Sequence, residues 1–148
     1  MPLQSDYHAW KESGSWIRIS VRAIIFAQGG ERILVEQNFD EGDYYNFIGG
    51  GVEVGERLVE ALQREVGEES DAEITDIQYA QVFENLYEEN GKILHGLEHY
   101  FLVRLKSEKI ISKQANTVYQ WIAVSDLGKI DLRPEEMKVQ IFEKRISK

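Results

Sequence analysis

Gly49 to Ile74 reads GGGVEVGERLVEALQREVGEESDAEI: three glycines, a fourth at Gly55, and then a run dense in carboxylates. Glycine carries the largest backbone entropy cost of any residue, so three in a row predict a tight loop where backbone approaches a ligand closely. From Glu56 to Ser70 most residues are strong helix formers. At about 100° per residue, Leu58, Ala61 and Leu62 share one side of that helix, the side such a helix presses onto a core. The same side continues as Glu65, Glu68 and Glu69, at i, i+3, i+4 spacing, where Cβ atoms stand about 5–6 Å apart. Glu60, Gln63 and Gly67 take the solvent side.

An acidic run is ordinarily a solvated charged face. Here three like charges stack on one stripe, and no Lys or Arg stands at i+4 on that stripe to relieve them. A hard divalent cation with oxygen ligands would resolve the repulsion, and Mg²⁺ is the usual cation held by a few carboxylates plus substrate phosphates. A purely structural acidic helix would leave the glycines without a purpose.

The spacing Gly50, five residues, Glu56, seven residues, Arg64-Glu65-Val66, one residue, Glu68-Glu69 resembles the Nudix box. The family hydrolyses a nucleoside diphosphate linked to another moiety. The resemblance implies an α/β fold, a Nudix-like α/β/α sandwich with a mixed, curved β-sheet. It also implies Mg²⁺, with Mn²⁺ as a substitute, held by some or all of Glu65, Glu68 and Glu69 together with a backbone carbonyl near Gly49. Glu68 or Glu69 would deprotonate water, Arg64 would orient a carboxylate, and Gly50 and Glu56 would shape the loop–helix junction. The chain departs from the pattern at Asp71, where the family has glycine, and at Ala72, where it has a bulky aliphatic. Asp tolerates the left-handed conformation that ends helices, so Asp71 reads as a variant of the cap. Ile48 stands where many members have proline.

Many members also place a further acid in the loop before the last strand. Lys113-Gln114-Ala115-Asn116-Thr117 has none, which leaves Glu53, Glu84, Glu98 and Glu108 as candidates. The family's substrates include nucleoside triphosphates, dinucleoside polyphosphates and nucleotide sugars. Tyr87 falls roughly where some dinucleoside polyphosphate enzymes have tyrosine, and no proline occurs in the region where ADP-ribose enzymes often have one, which disfavours ADP-ribose. The rival expectation is a non-catalytic Nudix-fold nucleotide-binding or regulatory module. Such modules usually lose members of the acidic set, and this chain keeps them all.

Composition agrees with a folded enzyme. The 148 residues suit a single domain spanning 1–148, and 43% apolar content argues against disorder. A net charge of −9 excludes a basic surface for nucleic-acid polymers, yet a bound cation can still draw in an anionic nucleotide. There is no cysteine and no long apolar run, so disulfides, thiol chemistry and a membrane span are not expected. A cytoplasmic monomer or homodimer acting on a small-molecule nucleotide is the expectation.

Outward from the glycines, residues 1–14 read as an irregular lead-in. Ile17, Ile19, Val21, Ala23 and Ile25 alternate with Arg18, Ser20 and Arg22, which predicts a strand. Arg18 and Arg22 read more readily as solvated strand charges than as phosphate contacts, though Arg22 is retained as a substrate-binding candidate. Gly29-Gly30 marks a hairpin, Glu31–Gln37 a second strand, and Tyr44–Ile48 a short strand running into the glycines. Phe47 is a candidate to stack a base, although core packing is the commoner fate of such rings. Further strands are expected at Ile77–Phe83, Leu97–Leu105 and Thr117–Val124, with a terminal helix from Pro134 through to Lys148. His95, Glu98 and His99 lie close in sequence, but a zinc site wants three or four well-placed ligands and these fall in an apolar strand.

Overall fold

A computed structural model describes residues 16–148; the expected lead-in over 1–14 lies outside the described residues. The elements are β1 (Trp16–Ile25), β2 (Arg32–Asn38), β3 (Gly49–Gly51), α1 (Leu58–Glu69), β4 (Ile74–Glu89), β5 (Lys92–Leu105), β6 (Thr117–Ala123), a 3₁₀ turn (Val124–Lys129) and α2 (Glu135–Phe142). Four strands form a mixed sheet in the order β3-β1-β5-β4, and β2 pairs with β6 in a second, antiparallel ladder. β1 runs parallel to β5 and antiparallel to β3. Register shifts at Ile74/Asp76 and Tyr79/Gln81 bend β4 along β5, as bulges do.

Two cores lie on opposite faces of these strands. Val21, Ala23, Ile25, Leu34, Phe101 and Val103 meet Ala61, Leu62 and Val66 of α1. On the other face Ile24, Ile33, Val35, Phe47 and Tyr100 meet Met137 and Ile141 of α2. The protein is thus an α/β/α sandwich. Ile33, Leu34 and Val35 are all buried because β2 is covered on both faces.

Several expectations change. The glycines are a strand rather than a loop: Gly49, Gly50 and Gly51 pair with Arg22, Val21 and Ser20. Glycine is needed there for closeness. A Cβ on Gly49 (φ 154°) would run into the Val21 carbonyl oxygen, with Arg22 Cα at 3.0 Å. The expected strand Tyr44–Ile48 is reduced to single bridges, Tyr45 to Leu132 and Asn46 to Glu36, because its neighbours are loop and edge. β4 extends well beyond Ile77–Phe83, since the turn at Asn90-Gly91, both with positive φ, lets it zip along β5 to the tip. The terminal helix stops at Phe142 and not at Lys148; Lys144 takes a left-handed φ of 59° beyond it.

Candidate active site

α1 opens with Glu60 reaching back to accept from the Arg57 amide at 2.8 Å, while Glu56 accepts from the Glu53 amide at 2.7 Å. Its inner face is Ala61, Leu62, Val66 and Glu69; Val66 belongs there beside the residues the helical wheel selects. The three box glutamates differ in setting. Glu69 is 8% exposed, and Glu65 is nearly covered by β3. Glu68 has a side chain 58% exposed, so it sits on the rim and not on the inner stripe.

The stripe also has the cation that the i+4 argument leaves out. Arg64 lies one residue before Glu65 and four before Glu68, and its guanidinium spends every donor. Nε and Nη2 grip Glu56 at 3.0 and 2.6 Å, Nη2 also donates to the Gly51 carbonyl at 2.9 Å, and Nη1 donates to Glu65 at 2.9 Å and Glu68 at 3.4 Å. The Arg64 hydrogen bond, with that from the Glu53 amide, holds the Glu56 carboxyl down to about 2. Gly50 lies under Glu65: a Cβ there would overlap the carboxylate carbon, with both oxygens at 2.5 Å.

Glu69 faces inward without this help. Burial lifts its carboxyl to about 8, the charges of Glu36 and Glu65 add to the rise, and Arg22 and the Gly49 amide oppose it. Its Oε2 is buried with no hydrogen-bond partner. Across from it lies Glu36 on β2, 6% exposed, likewise with an unpartnered Oε2. Burial raises Glu36 to about 7, against the pull of Arg22 and the Tyr119 hydroxyl. The sequence reading does not select Glu36. Its signal is the unbroken run Ile33-Leu34-Val35, which marks a strand covered on both faces and so buries the next side chain as well.

A cleft of about 840 Å³ opens beside the site, lined by Arg18, Arg22, Asn46, Phe47, Tyr87 and Glu98 among others. The box glutamates do not line it; Arg22 and Asn46 connect the two, Arg22 as a cleft wall whose charge acts on Glu36 and Glu69, Asn46 as the bridge partner of Glu36. Arg22 is not a solvated strand charge: it donates to the Phe47 carbonyl at 3.1 Å and stands 3.9 Å from Glu98. Phe47 is 1% exposed and meets Tyr100 edge-on at 5.5 Å, so its ring has no face free to stack a base. Tyr87 is half exposed on the cleft wall.

Of the acids weighed as a further ligand, only Glu98 reaches the cleft, where Asn85 and Tyr100 donate to it. Glu53 is solvent-facing, Glu84 pairs with His95 at 2.9 Å, and Glu108 pairs with Arg32 at 2.6 Å beside a different cavity. His99 hydrogen-bonds Tyr79 at 2.9 Å, so His95, Glu98 and His99 have separate partners and form no zinc site. Asp71 is not a left-handed cap: Ser70 ends α1 in extended geometry, and Asp71 accepts from the Ile111 amide at 2.7 Å instead.

Among the described residues no three acidic or histidine side chains are already gathered as a closed ligand set. The donor chemistry nonetheless fits a hard cation. Two buried carboxylate oxygens lack any donor, and Gly50 leaves room for a third carboxylate that a larger residue would displace.

Comparison with known proteins agrees. The NUDIX domain family model matches residues 16–141. A curated relative, dihydroneopterin triphosphate diphosphatase of Escherichia coli strain K12, is 26% identical over 115 residues, covering 70% of this chain and 77% of its own. A MutT structure from work on Aliivibrio salmonicida and Vibrio cholerae superposes with a TM-score of 0.72 at 22% identity, covering 87% of this chain and 99% of that one. The NUDIX domain of Shewanella oneidensis NrtR, solved with ADP ribose, gives 0.71 at 13% identity, covering 97% and 98%. With the family model spanning most of the chain, its acidic helix intact and that diphosphatase among its relatives, the protein belongs to the NUDIX family, as a Nudix-type pyrophosphohydrolase.

Proposed function

We propose that the protein hydrolyses a phosphoanhydride bond in a nucleoside triphosphate, dinucleoside polyphosphate, nucleotide sugar or similarly built small molecule, with Mg²⁺ or Mn²⁺ as cofactor. The observation that carries this reading is the buried, donor-free Glu69 oxygen beside Glu65 on one rigid helix, linked through Arg22 to a cleft walled by arginine and tyrosine. Glu65, Glu69 and a backbone carbonyl near Gly49 would hold the cation, with Glu68 able to join them. When bound, the cation supplies neutralisation of phosphate charge and a lowered pKa for water.

The chain's own residues do the rest. Arg64 fixes Glu65 and the loop through Glu56, so the carboxylates need little reorganisation when substrate arrives. Glu68, exposed and held only at 3.4 Å, is free to rotate toward a water and take its proton, whereas buried Glu69 is the fixed anchor. Arg18 and Arg22 offer positive charge to the substrate's phosphates, and Tyr87 offers a half-exposed ring to its base.

The test is a panel of nucleoside triphosphates, dinucleoside polyphosphates, nucleotide sugars and a pterin triphosphate, with products identified so that the bond attacked is known. Activity is expected with Mg²⁺ or Mn²⁺ and lost in chelator. Full activity in excess chelator would overturn the metal reading. Tight binding of a nucleotide with no turnover would favour the rival, a binding module.

A further inference from the structure

Glu36 is an ionisable side chain buried in a strand interior, with one carboxylate oxygen unpartnered. It occupies the middle of β2, between Val35 and Gln37, where an apolar residue would fill the same space without any unpaired oxygen. On one side its backbone is bridged to Asn46, the amide of each donating to the carbonyl of the other at 2.8 Å. On the other it is paired in register with Tyr119, whose hydroxyl donates to the Glu69 backbone carbonyl at 3.3 Å. Opposed residues in an antiparallel pair present their side chains on one face. Asn46, Glu36 and Tyr119 therefore form a row on one face, running from the cleft to the end of α1.

The polar atoms along that row share one property. Glu36 Oε2, Asn46 Oδ1 and Glu69 Oε2 are the three buried side-chain polar atoms without a hydrogen-bond partner among the described residues. All three are acceptors. Leaving even one such atom unpaired in an interior costs about 1–3 kcal/mol, so three along one row favour an electropositive or hydrogen-donating occupant from outside the chain. The positive charge of Arg22 acts on both Glu36 and Glu69, but its guanidinium is engaged with the Phe47 carbonyl and faces Glu98.

We propose that Glu36 is a fourth carboxylate of the metal centre, binding the divalent cation with Glu69, and that the Asn46 side-chain carbonyl adds an oxygen on the cleft side. Glu36 would thus fill the role of the distal acid, which the loop before β6 lacks, from the strand on the opposite wall. The inference rests on the metal-dependent reading above. It adds that the cation is clamped between β2 and α1, not held by the helix alone, and that Asn46 ties its coordination to the cleft.

The test is Mn²⁺ binding to the purified protein, followed by electron paramagnetic resonance of free Mn²⁺ and by the rise in melting temperature that Mn²⁺ produces. Neither readout needs turnover. Glu36→Gln keeps the shape and removes the ligand charge, and Glu84→Gln removes one charge from an exposed site outside the centre. We expect Glu36→Gln to bind Mn²⁺ at least about tenfold more weakly and to show a smaller melting shift. Glu84→Gln should match the wild type in both. Glu36→Asp serves as the second variant if the glutamine protein does not melt cooperatively. It keeps the charge but shortens the arm by one methylene, and a severalfold loss of affinity is expected. Wild-type Mn²⁺ affinity in whichever of the two variants is used overturns the assignment of Glu36 while leaving the box glutamates in place. A wild-type protein that takes up no Mn²⁺ removes the metal reading and this inference together.

Discussion

Gly49 and Gly50 are adjacent, yet alanine at each should fail in a different way. At Gly49 the new methyl meets backbone: the Val21 carbonyl and Arg22 Cα, with φ at 154°. Nothing there can rotate aside, so either β3 peels from β1 or the backbone takes up strain worth about 1–3 kcal/mol, with loss of pairing on top. A total of about 3 kcal/mol or more is expected. At Gly50 the methyl meets only the end of the Glu65 side chain, which can swing. That movement breaks the 2.9 Å contact with Arg64, a partly exposed pair worth about 0.5–1.5 kcal/mol. Replacing glycine restricts the unfolded chain and returns about 0.4–1 kcal/mol. Gly50→Ala should therefore lie within about 1 kcal/mol of the wild type in urea unfolding. Its damage is functional: with Glu65 displaced, Mn²⁺ affinity should fall about tenfold or more, and turnover with it. A Gly50→Ala protein as unstable as Gly49→Ala, or one that binds Mn²⁺ normally, would refute the reasoning.

Gly67 is exposed on α1, and a methyl added there would meet nothing within 4 Å, so Gly67→Ala should raise stability by a few tenths to about 1 kcal/mol and leave turnover unchanged, measured by urea unfolding and initial rates. Glu69 keeps its proton up to about pH 8 in the folded chain but loses it near 4.5 when unfolded. In chelator, the contribution of Glu69 to stability should thus be fullest below about pH 4.5 and be lost as pH rises through about 8, with a like contribution from Glu36 lost through about 7. Glu69→Gln should flatten that decline in thermal melts, be no less stable than wild type at pH 8 without metal, and gain less from Mg²⁺; an unchanged pH slope would count against the buried setting of Glu69. Arg64→Lys replaces five forked donors by one ammonium, so it should lose about 1–3 kcal/mol and most activity, and added Mg²⁺ should not restore it.

The helix of the box was legible because its apolar residues recur at the helical period and its glycines precede it at fixed spacing. Two parts of the site were not legible, for one shared reason. The strand character of Gly49–Gly51 depends on β1, some thirty residues earlier in the chain, and triple glycine carries no alternation to announce it. Glu36 acquires its setting from Asn46 and Tyr119, neither of which is a sequence neighbour. Arg64 shows a different limit. The i+4 rule looks forward from each glutamate, whereas the cation sits before them and reaches sideways into the loop through Glu56. Phe47 and Arg22 could be named as cleft candidates from the sequence, but only burial separates a ring packed on Tyr100 from a guanidinium at the cleft wall.

The segment between β5 and β6 reads as a polar spacer, and an engineer seeking a place for a tag or reporter would be drawn to it. It is a poor choice. Lys113 donates its amide to the Glu69 carbonyl and its ammonium to the Gly67 carbonyl, each at 2.9 Å, and Ile111 exchanges two hydrogen bonds with Asp71. These contacts serve the open carbonyl end of α1, where a lysine also complements the helix dipole. An insertion there would loosen the last turn of the helix, the turn that carries Glu68 and Glu69. The Asn90-Gly91 turn is the better graft point. It is exposed, a Cβ added at Gly91 would meet nothing within 4 Å, and its strands are held together along their length by the β4–β5 ladder.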